Sequence, residues 1–274
     1  MFKMKNLIYI AIVGLLFTSC GEYQKVLNKG TVEQQYAMAS KLYESKKYNK
    51  ALALFEKVTP SYSTKPQMER IQFMVAQSNF NTKNYDLAGY YFNRFTQNYP
   101  KSSKKEEAAY LSAYSYMLAS PVFSLDPTDT NKALNAFQGF IDAYPDSKRM
   151  PDANKYYKEI RYKLQKKAFE IAKVYYTTAE YDPTRNYTAA IQAFDNLLED
   201  YLGSEFKEEA LYYRLKAAHD LAIKSTSRKK ALRLKDAIKA YEKLKRNFPK
   251  TKYLVDSNKM LATLEEQQKQ LIKS

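Results

Sequence analysis

The sequence contains a single cysteine, Cys20, and a single histidine, His219. One cysteine excludes a disulfide bond within the chain, and these two residues cannot supply the ligand set of a structural zinc site. Only six glycines and nine prolines occur in 274 residues, too few for the many turns of an all-β protein. The scarcity of these residue types therefore favours an all-α chain.

Catalytic and nucleotide-binding motifs are also missing. The sequence has no glycine-rich phosphate loop and no H-E-x-x-H, G-x-S-x-G or C-x-x-C pattern. Acidic pairs such as Glu106-Glu107 do not face each other, because adjacent residues diverge on a helix. We expect His219, beside Ala217-Ala218, to be a partly buried structural residue. The sequence thus predicts a protein that is not an enzyme and holds no metal.

The N-terminal segment has the order of a secretory leader. Lys3 and Lys5 precede an apolar run of eleven residues, Leu7 to Phe17, whereas a membrane span needs about 20. Small polar residues and Cys20 follow, so the segment resembles a bacterial lipoprotein signal, with cleavage before Cys20 and acyl chains attached to it. The alternative is a core cysteine at the end of an ordinary helix. Since no aspartate or acidic run follows Cys20, the lipoprotein resemblance implies the periplasmic face of an outer membrane.

Positive charge is in excess along the chain. Lysines and arginines number 45 against 29 acidic residues, for a formal net charge of +16. Basic clusters with interleaved aromatic residues occur at 101–105, 161–167 and 227–235, a pattern also found in nucleic-acid-binding proteins. An exported lipoprotein does not normally meet nucleic acid, so solvated faces, anionic lipid head groups or acidic protein surfaces are the better interpretations. We expect no nucleic-acid partner and no cofactor besides the covalent lipid on Cys20.

A fivefold repeat occupies the remainder of the sequence. An alanine precedes an aromatic residue by four positions in each copy, and a second ring follows seven positions later. The copies are Ala51/Phe55/Tyr62, Ala88/Phe92/Tyr99, Ala133/Phe137/Tyr144, Ala190/Phe194/Tyr201 and Ala237/Tyr241/Phe248. Offsets of four and seven place these side chains on one helical face. Proline follows the second ring in three copies and ends the helix. We expect the hydroxyl residues two positions further on to cap the next helix, namely Ser102, Ser147, Ser204 and Thr251.

Each copy therefore predicts a helical hairpin whose apolar face needs a neighbour. The predicted fold is all-α: a right-handed α-solenoid of about five tetratricopeptide-like hairpins with a C-terminal capping helix from Val255 to Ile272. A long first helix is predicted for the fourth hairpin, from Asp152 to Thr178. The predicted domains are a signal peptide (1–19), a lipidated tether (20–31), hairpins one to three (32–147), and hairpins four and five with the capping helix (148–274).

The hairpins resemble the tetratricopeptide repeat, a helix-turn-helix unit of about 34 residues with a late proline. With the lipidated cysteine and the Y-P-x-S endings, they resemble the BamD family, the outer-membrane-assembly lipoproteins of the β-barrel assembly machinery. The resemblance extends over essentially the whole chain from Cys20, is strongest locally from Leu125 to Lys148, and is to members of the Bacteroidetes type. The family implies a non-enzymatic scaffold that binds a BamA-like barrel subunit through its C-terminal units. It also implies an N-terminal groove for unfolded outer-membrane proteins. The alternative is a periplasmic tetratricopeptide lipoprotein that coordinates cell-wall synthesis or division.

The predicted peptide-binding groove lies on the first helices of the first three hairpins. Three positions of such a helix face the concave side in a tetratricopeptide hairpin. In this chain they are Tyr36, Ser40 and Tyr43, then Phe73, Gln77 and Phe80, then Tyr110, Tyr114 and Met117. Rings alternating with short polar groups suit an extended segment with an aromatic end. Alternatively these rings pack between hairpins, and we expect about half of them to be accessible.

Overall fold

The computed structural model describes residues 21–273, which contain twelve α-helices, one short 3₁₀ helix and no strand. The prediction of an all-α chain is confirmed for this range. Cys20 and the predicted signal peptide lie outside it. The helices are α1 (21–29), α2 (Val32–Glu44), α3 (Tyr48–Tyr62), α4 (Gln67–Asn81), α5 (Tyr85–Asn98), α6 (Lys105–Ala119), α7 (Thr128–Ala143), α8 (Met150–Thr177), α9 (Pro183–Asp200), α10 (Lys207–Ile223), α11 (Ser227–Asn247) and α12 (Leu254–Lys273).

The helices pair as consecutive hairpins, α2–α3, α4–α5, α6–α7, α8–α9 and α10–α11, with α12 packed on the last. The five predicted hairpins and the capping helix are therefore present. Each anchor alanine (Ala51, Ala88, Ala133, Ala190 and Ala237) lies in the second helix of its hairpin and is completely buried. A methyl side chain at that position lets the neighbouring helix approach closely. Four of the five anchor rings are likewise fully buried, while Tyr241 is half-buried and donates to Asn258 Oδ1 at 2.8 Å.

The hydroxyl residues predicted as helix N-caps have another role, so that prediction is wrong. In the Y-P-x-S sequence the amide of Ser102 donates to the carbonyl oxygen of Tyr99 at 3.1 Å, which closes a β-turn. Ser102 Oγ then accepts from the amide of Lys104 at 3.0 Å, and Lys104 itself is the cap residue of α6. The same two bonds recur at Ser147, Ser204 and Thr251. The hydroxyl thus stabilises the link before the helix, two residues earlier than expected.

The turns inside the first two hairpins share an unusual backbone feature. After α2, the amides of Lys46 and Lys47 donate to the carbonyl oxygens of Tyr43 and Leu42 at 2.9 and 2.8 Å. This pair of bonds is the Schellman arrangement, in which the first residue beyond the cap is left-handed and is most often glycine. Lys46 has φ 59°, and Lys83, at the same place after α4, has φ 64°. Both turns therefore hold a lysine in a conformation that favours glycine.

The chain divides into two compact units. Unit 1 comprises the described residues up to Pro121 together with Thr128–Tyr157, and unit 2 comprises Val122–Pro127 with the residues from Lys158 onward. The division falls after Tyr157, ten residues beyond the predicted boundary at residue 147. It lies inside α8, so the start of this helix belongs to unit 1 and the remainder to unit 2. The segment predicted as a tether (20–31) is helical over 21–29, and Tyr23 is buried against α3 in the core of unit 1. Within residues 21–273, no helix combines the length and apolarity needed to cross a membrane.

Half-buried polar groups join the helices of unit 2. Arg214 on α10 bonds to Asp195 on α9 at 3.2 Å and to Asp236 on α11 at 3.0 Å. Burial opposes the charge of Arg214, but its bonds to the two aspartates outweigh burial and raise the pKa of the guanidinium.

A second polar group in unit 2 surrounds Asp220. This carboxylate accepts from Tyr176 Oη at 2.9 Å and lies 2.8 Å from His219 Nδ1. Burial would raise the pKa of Asp220, but the hydrogen bonds from His219 and Tyr176 outweigh burial and lower it. His219 therefore has a structural contact at the position where the sequence predicted a partly buried residue.

Candidate peptide-binding surface

The predicted groove residues lie on α2, α4 and α6 of unit 1, and aromatic contacts connect most of them. On α2, the ring of Tyr36 packs on Tyr62 with centroids 5.0 Å apart. Tyr62 is the second ring of the first repeat copy and is buried at the end of α3. Ser40, one turn further along α2, has a shielded Oγ without a hydrogen-bond partner among the described residues. The beginning of the predicted groove is therefore half-buried within the first hairpin.

The middle of the groove contains an open cavity. Tyr43 Oη on α2 donates to Gln77 Oε1 on α4 at 2.5 Å, which ties the first two hairpins together. Phe73, one turn before Gln77, packs edge-on against Phe95 with centroids 5.3 Å apart. These groups surround a cavity of about 420 Å³, lined by Tyr43, Pro66, Glu69, Arg70, Phe73, Met74, Gln77, Phe95 and Lys104. A cavity of this size is large enough for one aromatic side chain of a bound segment.

The far end of the predicted groove is a chain of packed rings. Phe80 on α4 contacts Tyr114 on α6 at 6.1 Å, and Tyr114 stacks on Tyr110 at the same separation. Tyr114 also contacts Tyr156 at the start of α8, at 5.3 Å. Tyr110 is buried, with the guanidinium of Arg149 4.7 Å above its ring. These rings chiefly join successive hairpins.

Burial raises the pKa of three phenols on this surface above the ordinary value for tyrosine. Burial raises the pKa of Tyr110 to about 12, and nearby Tyr156 and Asp152 act in the same direction against Arg149. Burial also raises the pKa of Tyr43 and of Tyr114. The three phenols are therefore neutral at physiological pH and can donate hydrogen bonds, as Tyr43 does to Gln77.

Eight of the nine predicted positions are half-buried, and Tyr110 is buried. Tyr43, Phe73 and Gln77 line the cavity, while Phe80 and Tyr114 pack against each other. Met117 is half-buried at the end of α6. Peptide binding at these nine residues remains a prediction, and its most accessible part is the cavity.

Two apolar surfaces escaped the sequence analysis. In unit 1, a cavity of about 430 Å³ lies between α3, α4 and α5, lined by Leu52, Glu56, Thr59, Met68, Ile71, Gln72, Val75, Asn79, Leu87, Tyr91 and Arg94. Leu87, at its edge, is 49% exposed. This cavity is on the side of α4 away from Phe73. A second apolar stripe on α4, formed by Met68, Ile71 and Val75, was the sequence feature that could have predicted it.

The second surface is on α8 in unit 2, and we call it the α8 patch: Phe123, Ile171, Val174 and Tyr175. These side chains line a cavity of about 360 Å³ beneath the loop 122–127, which Lys167 Nζ holds by donating to three of its carbonyl oxygens. Ile171, Val174 and Tyr175 are all more than 40% exposed. Their spacing of three and four was visible in the sequence beside the buried Phe169/Ala172 face.

Comparison with known proteins places this arrangement in a family. A model described as outer membrane lipoprotein (YfiO) matches residues 28–234, which is more than half of the chain. The chain belongs to the YfiO family. The range matched includes α2 to α10. It therefore contains the cavity beside Tyr43, the cavity between α3, α4 and α5, and the α8 patch.

Curated relatives of this YfiO member are similar over most of their length. Outer membrane protein assembly factor BamD of Rickettsia prowazekii is 26% identical over 230 residues, 81% of this chain and 89% of the relative. BamD of Neisseria meningitidis serogroup B is 24% identical over 267 residues, 92% of this chain and 94% of the relative. BamD of Buchnera aphidicola is 25% identical over 240 residues, with 83% and 95% covered. Such coverage leaves no large part of these relatives without a counterpart.

Proposed function

We propose that this protein is a non-enzymatic, lipid-anchored scaffold for the assembly of outer-membrane β-barrel proteins. The main support is the similarity to proteins named outer membrane protein assembly factor BamD over more than four fifths of the chain. The series of helical hairpins also agrees with this role, because such hairpins leave cavities and apolar stripes on their surfaces.

The proposed anchor is a lipid on Cys20, at the periplasmic face of the outer membrane. Its support is the order of the leader residues, in which small polar residues and Cys20 follow the apolar run. Several acyl chains on one residue would give a stable attachment, whereas a single chain is marginal. Mass spectrometry of the membrane-extracted protein should find Cys20 acylated. A Cys20→Ala variant that is still acylated would contradict the anchor.

The proposed client site is the cavity formed by Tyr43, Phe73 and Gln77. Its rings would receive an aromatic side chain of an unfolded segment. Arg70 at the rim pairs with Glu44 at 3.4 Å, and because both side chains are more than half exposed, Arg70 would exchange this carboxylate for one of the segment. The rings of Phe73 and Phe95 and the neutral phenol of Tyr43 favour insertion of an apolar side chain over a charged one.

A charge reversal tests this site without disturbing packed rings. Arg70→Glu should weaken binding of a fluorescent strand peptide with a C-terminal aromatic residue by roughly tenfold, because an attractive charge becomes repulsive. Arg94→Glu is the matched control, since Arg94 is an exposed arginine that lines the cavity between α3, α4 and α5. Equal affinities for the wild type and Arg70→Glu would exclude the cavity as the client site. A loss with Arg94→Glu alone would move the site to the cavity between α3 and α5.

The barrel-forming subunit is the proposed partner of unit 2, through the α8 patch. Exposed apolar side chains in one cluster are typical of protein interfaces. Val174→Asp should therefore reduce recovery of a large barrel protein with periplasmic domains in crosslinked affinity purifications. Val255→Asp on α12 makes the same change at an isolated exposed valine and should leave recovery unchanged. Recovery of murein synthases in place of a barrel protein would favour a role in cell-wall synthesis and refute the assembly function.

A further inference from the structure

The turns inside the first two hairpins of unit 1 form one lysine-rich surface. They surround a cavity of about 540 Å³ lined by Lys46, Lys47, Tyr48, Asn49, Lys50, Asn81 and Thr82. None of these seven residues is acidic. All three lysines are exposed, and so is Lys83 in the second turn. We call Lys46, Lys47, Lys50 and Lys83 the turn lysines.

Two of the turn lysines occupy positions where lysine is unfavourable for folding. Lys46 and Lys83 are the left-handed residues of the two Schellman turns, and glycine would adopt this conformation without strain. The side chain of neither residue is needed to close its turn, because the closing bonds use backbone atoms. Strained residues in otherwise regular structure are concentrated at functional sites, so their presence in both turns suggests a use for the charge.

The first helix brings the start of the described chain to this same end of unit 1. Tyr23 Oη on α1 donates to the carbonyl oxygen of Lys50 at 3.5 Å, and Lys50 Nζ lies 5.0 Å above the ring of Tyr23. Four residues later on α1, the carbonyl oxygen of Leu27 accepts from Lys57 Nζ at 2.9 Å. Helix α1 therefore runs parallel to α3, and its first residues lie beside the turn lysines. Cys20 directly precedes them in the sequence.

The carboxylates at this end do not neutralise the turn lysines. Glu44 is paired with Arg70, and Asp86 shares Lys132 with Asp129. Glu22, in the first turn of α1, is exposed and is the acidic residue nearest to Cys20 in the sequence. Glu22 and the one carboxylate in excess at Lys132 are two negative charges against the four turn lysines, so the surface has net positive charge.

We propose that the turn lysines bind the anionic phospholipid head groups of the bilayer into which Cys20 is anchored. The proposal rests on the lipid attachment at Cys20 for the orientation of unit 1. Head-group phosphates complement the charge of this surface, and the anchor would hold the surface within reach of them. Lysines near an anionic membrane surface contribute to binding additively, each by about fivefold in partitioning.

The test uses residues 20–274 with Cys20→Ala, so that binding is measured without acyl chains. The informative variant is Lys46→Gly/Lys83→Gly, because glycine removes two charges and suits the backbone of both turns. The control is Lys101→Gln/Lys148→Gln, which removes two exposed lysines from the links between hairpins, at the other end of unit 1. Co-sedimentation is measured with phosphatidylethanolamine vesicles that contain or lack phosphatidylglycerol.

Binding of the parent chain should depend on phosphatidylglycerol and should weaken as salt is added. The glycine variant should bind roughly 25-fold more weakly while melting at a higher temperature, a combination that loss of folding cannot produce. The control should bind like the parent. Equal losses for the glycine variant and the control would mean non-specific attraction by net charge and would overturn the proposal, as would binding that ignores phosphatidylglycerol. Because the protein in this assay carries no acyl chains, a failure of the anchor at Cys20 would be detected separately, by the mass of the protein extracted from membranes.

Discussion

A close approach between α5 and α6 makes Gly89 the position where one methyl group has the clearest expected effect. Gly89 is buried in the middle of α5, and its carbonyl oxygen accepts from Ser112 Oγ on α6 at 2.8 Å. A Cβ atom built on Gly89 would lie 2.7 Å from both Cδ1 and Cε1 of the Tyr116 ring. Carbon atoms normally approach to about 3.5–4.0 Å, so the ring or the helix must move.

The sign of the effect of Gly89→Ala depends on two opposing contributions. Alanine is favoured over glycine in a helix interior by about 1 kcal/mol. Inserting a methyl group into a packed core costs about 1–3 kcal/mol, and the upper part of that range applies here because a rigid, buried ring is the obstacle. We therefore expect Gly89→Ala to lower the free energy of unfolding by about 1–2 kcal/mol.

Urea denaturation followed by far-UV circular dichroism measures this change, and two variants control it. Gly139 lies in α7 with open space around its Cβ position, so Gly139→Ala should raise the free energy of unfolding by about 1 kcal/mol. In a Tyr116→Ala background the obstacle is gone, and Gly89→Ala should then also be stabilising. Stabilisation by Gly89→Ala in the wild-type background would refute the packing argument.

Three further predictions concern the turns and the polar groups of unit 2. Lys46→Gly and Lys83→Gly should each stabilise the fold by about 0.5–1 kcal/mol in the same assay. The left-handed conformation costs residues other than glycine about 1–2 kcal/mol, and the greater entropy of glycine in the unfolded chain offsets part of this gain. Destabilisation would contradict this prediction. Arg214→Leu should destabilise by about 2–4 kcal/mol because it leaves two carboxylates without their cation, and an unchanged urea midpoint would show that water replaces the guanidinium. Because the pKa of Asp220 is lowered on folding, its contribution to stability is present above the unfolded pKa and is lost as pH falls through the folded one. Asp220→Asn should therefore flatten the acid limb of the stability–pH curve, and an acid limb as steep as that of the wild type would count against it.

The repeat was predictable because the spacing of apolar residues along the sequence determines which side chains share a buried helical face. Ala88 and Phe92 are separated by one helical turn, so they share a face, and any partner helix must pack against that face. Both are completely buried. The helix ends were also predictable where Pro100 follows Tyr99. The position of the cap was not, because the turn closed by Ser102 uses two further residues before α6 begins.

The accessibility of the groove rings was beyond sequence reasoning for a different reason. Whether Tyr110 faces solvent depends on which rings of α7 and α8 come near it, and Phe140 and Tyr156 are far from it in the sequence. Likewise, Lys46 could be assigned to a turn, but only the backbone shows that the turn needs a left-handed residue there. The periodicity of a sequence does not show how closely two hairpins approach each other, as α5 and α6 do at Gly89.

The proposed client cavity and the proposed membrane contact meet at the end of α2. Tyr43 lines the cavity, and Lys46, three residues later, is the first of the turn lysines. Tyr43 is in the last turn of α2, which ends at Glu44, and Lys46 is in the Schellman turn that follows, so the two sites are neighbours at this end of the helix. If the turn lysines lie on head groups, a segment bound by Tyr43 is held close to the bilayer surface. A scaffold with this geometry would keep an unfolded barrel strand beside the membrane that it must enter, and its cavity would need no contact with lipid to do so.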